Sequence, residues 1–197
     1  MLPKQKLLGA LAKITPSTFT GQLYRSISEA ALHSLSPAQP LYSLGARKSG
    51  QRFTHKTGPA SLYLSEEPDV SYIETNGTAW SITTSGQALI PPPTVIIAIS
   101  AHIDTVLDLT MPVVQKALDT DDADLSGPWF EQMILGKPVP TQILARAAYS
   151  TNRFQAIRFK SVQKPGAVNC MIWPKRLTSP AFIEVHDPSH RLYQRIP

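Results

Sequence analysis

Two arginines, a phenol, a carboxylate and a hydroxyl are spaced along this chain in a way that no hydrophobic core asks for. Arg25 sits in Leu-Tyr-Arg, Arg52 in Ser-Gly-Gln-Arg-Phe and Tyr63 in the apolar run Ala-Ser-Leu-Tyr-Leu-Ser. Glu74 follows in Ser-Tyr-Ile-Glu, and Ser161 comes much later in Ile-Arg-Phe-Lys-Ser-Val. A guanidinium presents a planar fork of donors to phosphate oxygens, so two of them can hold a diphosphate. A carboxylate, a phenol and a hydroxyl can hold and activate a sugar. The set suits a pocket for an anionic nucleotide and a reaction at a glycosidic carbon.

Each of these residues also has a plainer reading. Strand alternation puts Arg25 beside an inward Leu23, and an inward arginine needs an anion. That anion is either a bound ligand or an internal carboxylate, with Glu74 the candidate. Arg52 lies just after Gly50, which permits a close backbone approach; the alternative is a solvated loop arginine. Tyr63 either packs its ring on a base or nicotinamide with its hydroxyl toward a sugar, or is a core tyrosine. Ser161 lacks a G-x-S-x-G elbow and is not read as a hydrolase nucleophile. His102 and Asp104 are close in sequence, but no third partner is evident.

Other polar groupings carry less. Asp119, Asp121, Asp122 and Asp124 lack the central glycine and final glutamate of a calcium loop, and read as a solvated capping turn. His186, Asp187 and His190 have no cysteine nearby, so no zinc site, and no metal at all, is expected. There is no Walker A or G-x-G-x-x-G pattern, so any nucleotide is held by a different fold.

The elements that must position these groups follow from pattern. With 197 residues, 42% hydrophobic and 17% charged, the chain reads as a single domain over 1–197. No run reaches the roughly 18 apolar residues needed to span a bilayer, so no membrane association is expected. The basic, then apolar, start is too short for an export signal and reads as an amphipathic helical extension over residues 1–19. A cytoplasmic location is expected. Cys170 is the only cysteine and reads as a small buried hydrophobe. The net charge of +5 comes from scattered residues, densest from Arg153 to Lys164, without interleaved aromatics. Direct nucleic-acid binding is therefore not expected.

Helices are predicted over 2–13, over Glu66–Thr75 capped by Ser65, and over Pro112–Leu118, Gly127–Leu135 and Pro140–Tyr149. In the Gly127–Leu135 helix, Trp129, Phe130 and Met133 are expected to face the core. Strands are predicted over Thr20–Ile27, Ala60–Leu64, Thr94–His102, Ala167–Trp173 and Phe182–Val185. Thr105–Leu109 reads as a second short strand or turn, Gly45–Gly58 as a loop, and Trp80–Ile90 as a strand or irregular crossover. Helices and short strands are mixed without repeated βαβ units, which argues for a compact α+β domain.

Four pieces of the chain, between residues 23 and 174, resemble the RES family, the toxin half of bacterial Xre–RES toxin–antitoxin pairs. They are Leu-Tyr-Arg-Ser-Ile with Arg25, Gly45–Phe53 with Arg52, Leu62–Glu74 with Tyr63 and Glu74, and Ile157–Asn169 with Ser161 and Asn169. The chain departs from the family where Gln51 separates Gly50 from Arg52 and where Lys160 precedes Ser161. The resemblance implies a fold like that of ADP-ribosyltransferases and an activity that depletes NAD, as a glycohydrolase or a phosphorylase. It implies that Arg25 and Arg52 hold the diphosphate, Tyr63 and Asn169 help bind the nucleotide, Glu74 binds ribose and Ser161 positions a reacting group. NAD would be the substrate rather than a cofactor, and the expected partner is an Xre-like antitoxin. Protein ADP-ribosylation and an inactive partner-binding module are the alternatives.

Overall fold

The computed structural model describes residues 1–34, 38–81, 91–187 and 192–197. Its axis is one long strand, Thr94–Asp108, dense in Ile and Val. The sequence predicted two pieces there, and the structure joins them. Both edges of this strand are paired, which keeps His102 to Thr105 extended. Ser17–Ser28 lies antiparallel along one edge. Phe182–His186, antiparallel, and Ala156–Lys160, parallel, share the other.

In chain order the strands are β1 (Ser17–Ser28), β2 (Leu62–Ser65), β3 (Thr94–Asp108), β4 (Ala156–Lys160), β5 (Val168–Ile172), β6 (Phe182–His186) and β7 (Arg195–Ile196). Their spatial order is β1-β2-β5-β4-β3-β6-β7, with β1 also paired to β3. The ring β1-β2-β5-β4-β3 therefore closes on itself as a small barrel, and β6 and β7 extend it from β3. Closure gives every ring strand a neighbour on both sides, with β1 and β2 meeting at the single pair Tyr24 and Ser65.

Alternation then sorts the side chains. Leu23, Leu62, Leu64, Ile99, Ala156 and Cys170 are drawn from all five ring strands and form one buried cluster, the barrel interior. Ile157, Phe159 and Met171 point the other way into a second cluster under the helices.

The helices are α1 (Lys4–Lys13), α2 (Glu29–Leu32), α3 (Leu44–Ser49), α4 (Pro68–Ser81), α5 (Pro112–Ala117), α6 (Asp122–Ser126), α7 (Trp129–Ile134) and α8 (Pro140–Ser150). The run α5 to α8 is the crossover between the parallel strands β3 and β4. In α1, Leu7 and Leu11 are one turn apart, fully buried in the second cluster, and the helix packs on α8. Burial of a leucine contributes about 2 kcal/mol, so α1 is part of the core.

Several local predictions are corrected. The helix after β2 starts at Pro68, because Ser65 stays in the strand and its hydroxyl is bonded to Asn169 instead of capping. That helix runs on through Trp80, and 82–90 lie outside the described residues. The segment Gly45–Gly58 contains α3. β4 was not predicted, because Arg158 and Lys160 alternate with its core residues and the stretch read as a basic patch. In α7 no residue is fully buried and Phe130 is 46% exposed, so this short helix does not point its aromatics into the core as expected.

Candidate active site

The outer face of β2, β5 and β4 carries most of the chemistry read from the sequence. On β2, Tyr63 and Ser65 lie on the face opposite Leu62 and Leu64. Ser65 pairs in register with Asn169 of β5, and Asn169 pairs with Phe159 of β4. Ser161 follows β4 directly, its N–H bonded to the Ala167 carbonyl at 2.9 Å.

α4 brings Glu74 to this face. The helix is tied to β1 by Ser71, whose hydroxyl donates to Ser26 Oγ at 3.1 Å. It is tied to the loop after β4 by Lys164, whose Nζ lies 2.7 Å from Glu67 and 2.8 Å from Asp69. One turn beyond Ser71, Glu74 Oε1 accepts from Ser161 Oγ at 2.6 Å and from Asn169 Nδ2 at 2.7 Å. The far side of the Asn169 amide is anchored by Ser65, whose hydroxyl donates to Oδ1 at 2.6 Å. Gly77, a further turn along α4, passes close to Gln163; a Cβ there would lie 3.3 Å from that side chain.

Arg52 reaches the site from a tight turn in which Gln51 and Thr54 exchange backbone hydrogen bonds of 2.8 and 2.9 Å. Gly50 opens the turn at φ 79°, and a Cβ on it would meet Met133 Sδ at 2.5 Å, so this position needs glycine. Two polar side chains of α8 hold the turn: Thr141 donates to the Arg52 carbonyl and Gln142 to that of Gln51. The guanidinium donates from Nε to the Leu125 carbonyl at 2.7 Å and from Nη1 to that of Lys160 at 3.1 Å. It also lies 5.1 Å from the ring centre of Phe159. Burial pulls its pKa down to about 10, partly offset by the negative charge of Glu74, so it is a cation at neutral pH.

Two polar atoms remain open. Among the described residues, Glu74 Oε2 and Arg52 Nη2 have no protein partner. The one buried side-chain polar atom without a partner there is Nε of Arg176, so both open groups reach solvent. The site thus presents one free carboxylate oxygen and one free edge of a fixed cation.

Tyr63 has a role that the sequence did not reveal. Its hydroxyl accepts from the Phe53 N–H at 3.0 Å and bonds Thr54 Oγ1 at 2.9 Å, latching the Arg52 turn to β2. Burial keeps the phenol protonated well above its ordinary range. The ring meets Phe159 edge-on, and the residue as a whole is half-buried.

Arg25 stands apart from this group. Its register partner is Ile97, in the barrel-interior cluster, while its neighbour Tyr24 pairs with Ser65 on the outer face. Its guanidinium donates to the carbonyls of Pro40 and, at 2.9 Å, Tyr42. The predicted alternation of Leu23 with Arg25 is observed, but the proposed Arg25–Glu74 pair is not, since no ion pair joins them among the described residues. Burial pulls the Arg25 pKa down to about 10.

The remaining groupings resolve simply. Ser161 is bonded to Glu74, and His102 pairs with Asp104 at 3.1 Å and with Thr20 at 2.7 Å, so no Ser161–His102–Asp104 triad forms. Asp121 caps α6 and Asp122 pairs with Lys160 at 2.6 Å, as a capping turn would. His190 lies outside the described residues, and among those described no metal-ligating cluster occurs. Cys170 is fully buried and its thiol pKa is pushed up by burial, which leaves it unreactive. A cavity of about 710 Å³ lined by His55, Lys137 and Arg146 contains none of the predicted residues, so chemistry and not volume marks the site.

Ser65, Thr54, Thr141 and Gln142 were missed by sequence reasoning. Ser65 was within reach: it lies two residues from Tyr63 on a strand, hence on the same face, but its position before a helix favoured the capping reading. The other three are visible only once the turn and α8 meet.

The RES domain profile matches residues 22–194. Among solved structures, a chain of the M. tuberculosis MbcT–MbcA toxin–antitoxin complex superposes with a TM-score of 0.69 at 16% identity, covering 93% of this chain and 90% of that one. The two share a fold. No curated protein sequence matches the chain.

Proposed function

The chain belongs to the RES domain family, and from that premise we propose that it is a toxin that depletes NAD by cleaving the nicotinamide–ribose bond. The observation that carries this reading is Glu74, with one oxygen fixed by Ser161 and Asn169 and the other open beside a buried guanidinium. Glu74 Oε2 binds the hydroxyls of the nicotinamide ribose, and its charge offsets the positive charge that grows on the ribose as the glycosidic bond lengthens. Such preorganised charges act without reorganisation at the moment of reaction. Nicotinamide leaves as a neutral molecule, so no general acid is required.

Arg52 meets the diphosphate with its free Nη2 edge. Arg25 orders the segment at Pro40–Tyr42 through its guanidinium and adds positive charge from the barrel side rather than from beside Glu74. The half-buried Tyr63 packs against nicotinamide. Ser161 and Asn169 orient Glu74. The acceptor is water or phosphate. The small barrel with its helical cover is taken as a relative of the ADP-ribosyltransferase fold. Pairing with an Xre-like antitoxin is supported by the shared fold with a chain of the MbcT–MbcA toxin–antitoxin complex. Among the described residues no helix is long and apolar enough to cross a membrane, and the NAD pool attacked is taken to be cytoplasmic.

The test is product analysis with purified protein and NAD, with and without phosphate, beside a Glu74→Gln control. Free nicotinamide with ADP-ribose identifies hydrolysis, and a phosphate-dependent ADP-ribose phosphate identifies phosphorolysis. Glu74→Gln keeps an acceptor for Ser161 and Asn169 but removes the charge, and is expected to slow nicotinamide release at least about 100-fold. No NAD loss from folded protein, or an unchanged rate in the variant, overturns the proposal.

A further inference from the structure

A second polar cavity, of about 310 Å³, opens beside the start of β4 and shares no lining residue with the candidate active site. Arg153, Lys175 and Arg176 line it, together with the neutral donors Thr105, Asn152 and Thr178. Among the described residues none of these three cations forms an ion pair. Asp104, next to Thr105, is engaged with His102 at 3.1 Å.

The two arginines are pinned by uncharged groups. Arg176 donates from Nη2 to the Tyr149 carbonyl at 3.0 Å, and its guanidinium lies 4.1 Å from the centre of the Tyr149 ring. Its Nε is buried without any partner, and Nη1 makes no hydrogen bond among the described residues. Arg153 donates from Nη1 to the Leu11 carbonyl. Carbonyls fix these side chains in place but leave their charges uncompensated. Holding three like charges around one cavity is unfavourable unless an anion enters it.

The walls say which part of a ligand is read. Phe154 is 1% exposed, and the Tyr149 face is covered by Arg176, so no aromatic surface is free to stack on a base. We infer that this cavity binds a phosphoryl group, either inorganic phosphate or the terminal phosphate of a phosphomonoester. The open Nε–Nη2 edge of Arg153, the free Nη1 of Arg176, a flexible ammonium and neighbouring hydroxyl and amide donors match its tetrahedral array of oxygens. This inference stands apart from the proposed NAD chemistry.

The full-length protein, labelled with 15N, would be titrated with inorganic phosphate and with methyl phosphate at constant ionic strength. Saturable shifts are expected at the backbone amides of Asn152, Lys175 and Thr178. Shifts at Ser161 and Gln163 report any phosphate in the candidate active site and are scored separately. Lys175 is exposed, so Lys175→Glu leaves the fold unchanged, and it should raise Kd for phosphate about tenfold. Arg176→Lys keeps the charge but loses the stacked fork, and should weaken binding less than Lys175→Glu. Binding of both probes identifies the phosphoryl group of an ester as a ligand, and binding of phosphate alone identifies the free anion; either supports the site. No saturable shift at these amides, an unchanged Kd in Lys175→Glu, or equal binding of acetate overturns it.

Discussion

Ser161 and Glu74, 87 positions apart in sequence, are joined by a hydrogen bond of 2.6 Å from the serine hydroxyl to one carboxylate oxygen. A hydroxyl has one proton to give and two lone pairs to share. The proton goes to Glu74, and the lone pairs accept from the N–H groups of Gln163 at 3.0 Å and Lys164 at 3.2 Å. The oxygen is fully occupied, which makes Ser161 a positioning residue for the carboxylate. Ser161→Ala is expected to lower kcat for nicotinamide release about 10- to 100-fold without abolishing it. Loss to background in a folded variant that still binds NAD would instead assign Ser161 to the reaction itself.

Glu74 decides which way the Asn169 amide faces, because a carboxylate only accepts and the reverse orientation would set two acceptors against each other. Ser65 anchors the far side of the amide by donating to Oδ1. Ser65→Ala removes that anchor and loosens the amide. The expected result is a kcat about tenfold lower with KM little changed, and recovery in Ser65→Thr. Equal losses in the Ala and Thr variants would point to packing at the strand edge as the cause.

Tyr63 combines two functions that separate variants can divide. Tyr63→Phe removes the latch to Phe53 N–H and Thr54 but keeps the ring. A denaturant titration should show a loss of about 1–2 kcal/mol, the cost of leaving a buried donor without its partner. KM for NAD should rise less than in Tyr63→Ala, where the ring is lost as well. Equal KM values in the two variants would remove the ring from substrate binding.

The clamp of Lys164 on Glu67 and Asp69 is exposed and electrostatic, and its pH window follows from two opposite shifts. The hydrogen bond from Lys164 holds Asp69 below its ordinary value, so that contribution is present above the usual carboxylate range and fades as pH falls through the lowered pKa. Bonds to Asp69 and Glu67 raise Lys164, so its contribution is present below the usual amine value and fades as pH rises through the raised pKa. At neutral pH the clamp is intact and screened by salt. Thermal melts of the parent and Lys164→Ala should differ at low salt and converge at high salt. A difference independent of salt would mean that the lysine acts through packing.

Much of the site was legible before the fold was known, because its residue types have few other uses together. Arg52, Tyr63, Glu74, Ser161 and Asn169 were all named from local context and resemblance, and the structure gathers them on or beside one face of β2, β5 and β4. Alternation correctly placed Leu23 and Arg25 on the same side of a strand, since that depends only on local geometry. Local pattern failed where long-range pairing or packing decides. β3 is a single strand because neighbours pair along both its edges, and β4 is a strand despite Arg158 because Glu66 and Asp108 supply the charges that Arg158 needs.

The sequence alone determined the chemical inventory and the mixed α+β character, since these follow from residue type and short spacing. Only the tertiary structure decided that the Arg25 guanidinium is held by the carbonyls of Pro40 and Tyr42 while Arg52 stands beside Glu74, and that Ser65 anchors Asn169 where it had read as a helix cap. It also decided which oxygen of Glu74 stays open. Those outcomes depend on barrel closure and on hydrogen bonds between segments as many as 108 positions apart, such as Arg52 with the carbonyl of Lys160. No local window contains both partners, so the choice between ligand and structural roles is made only when the segments meet.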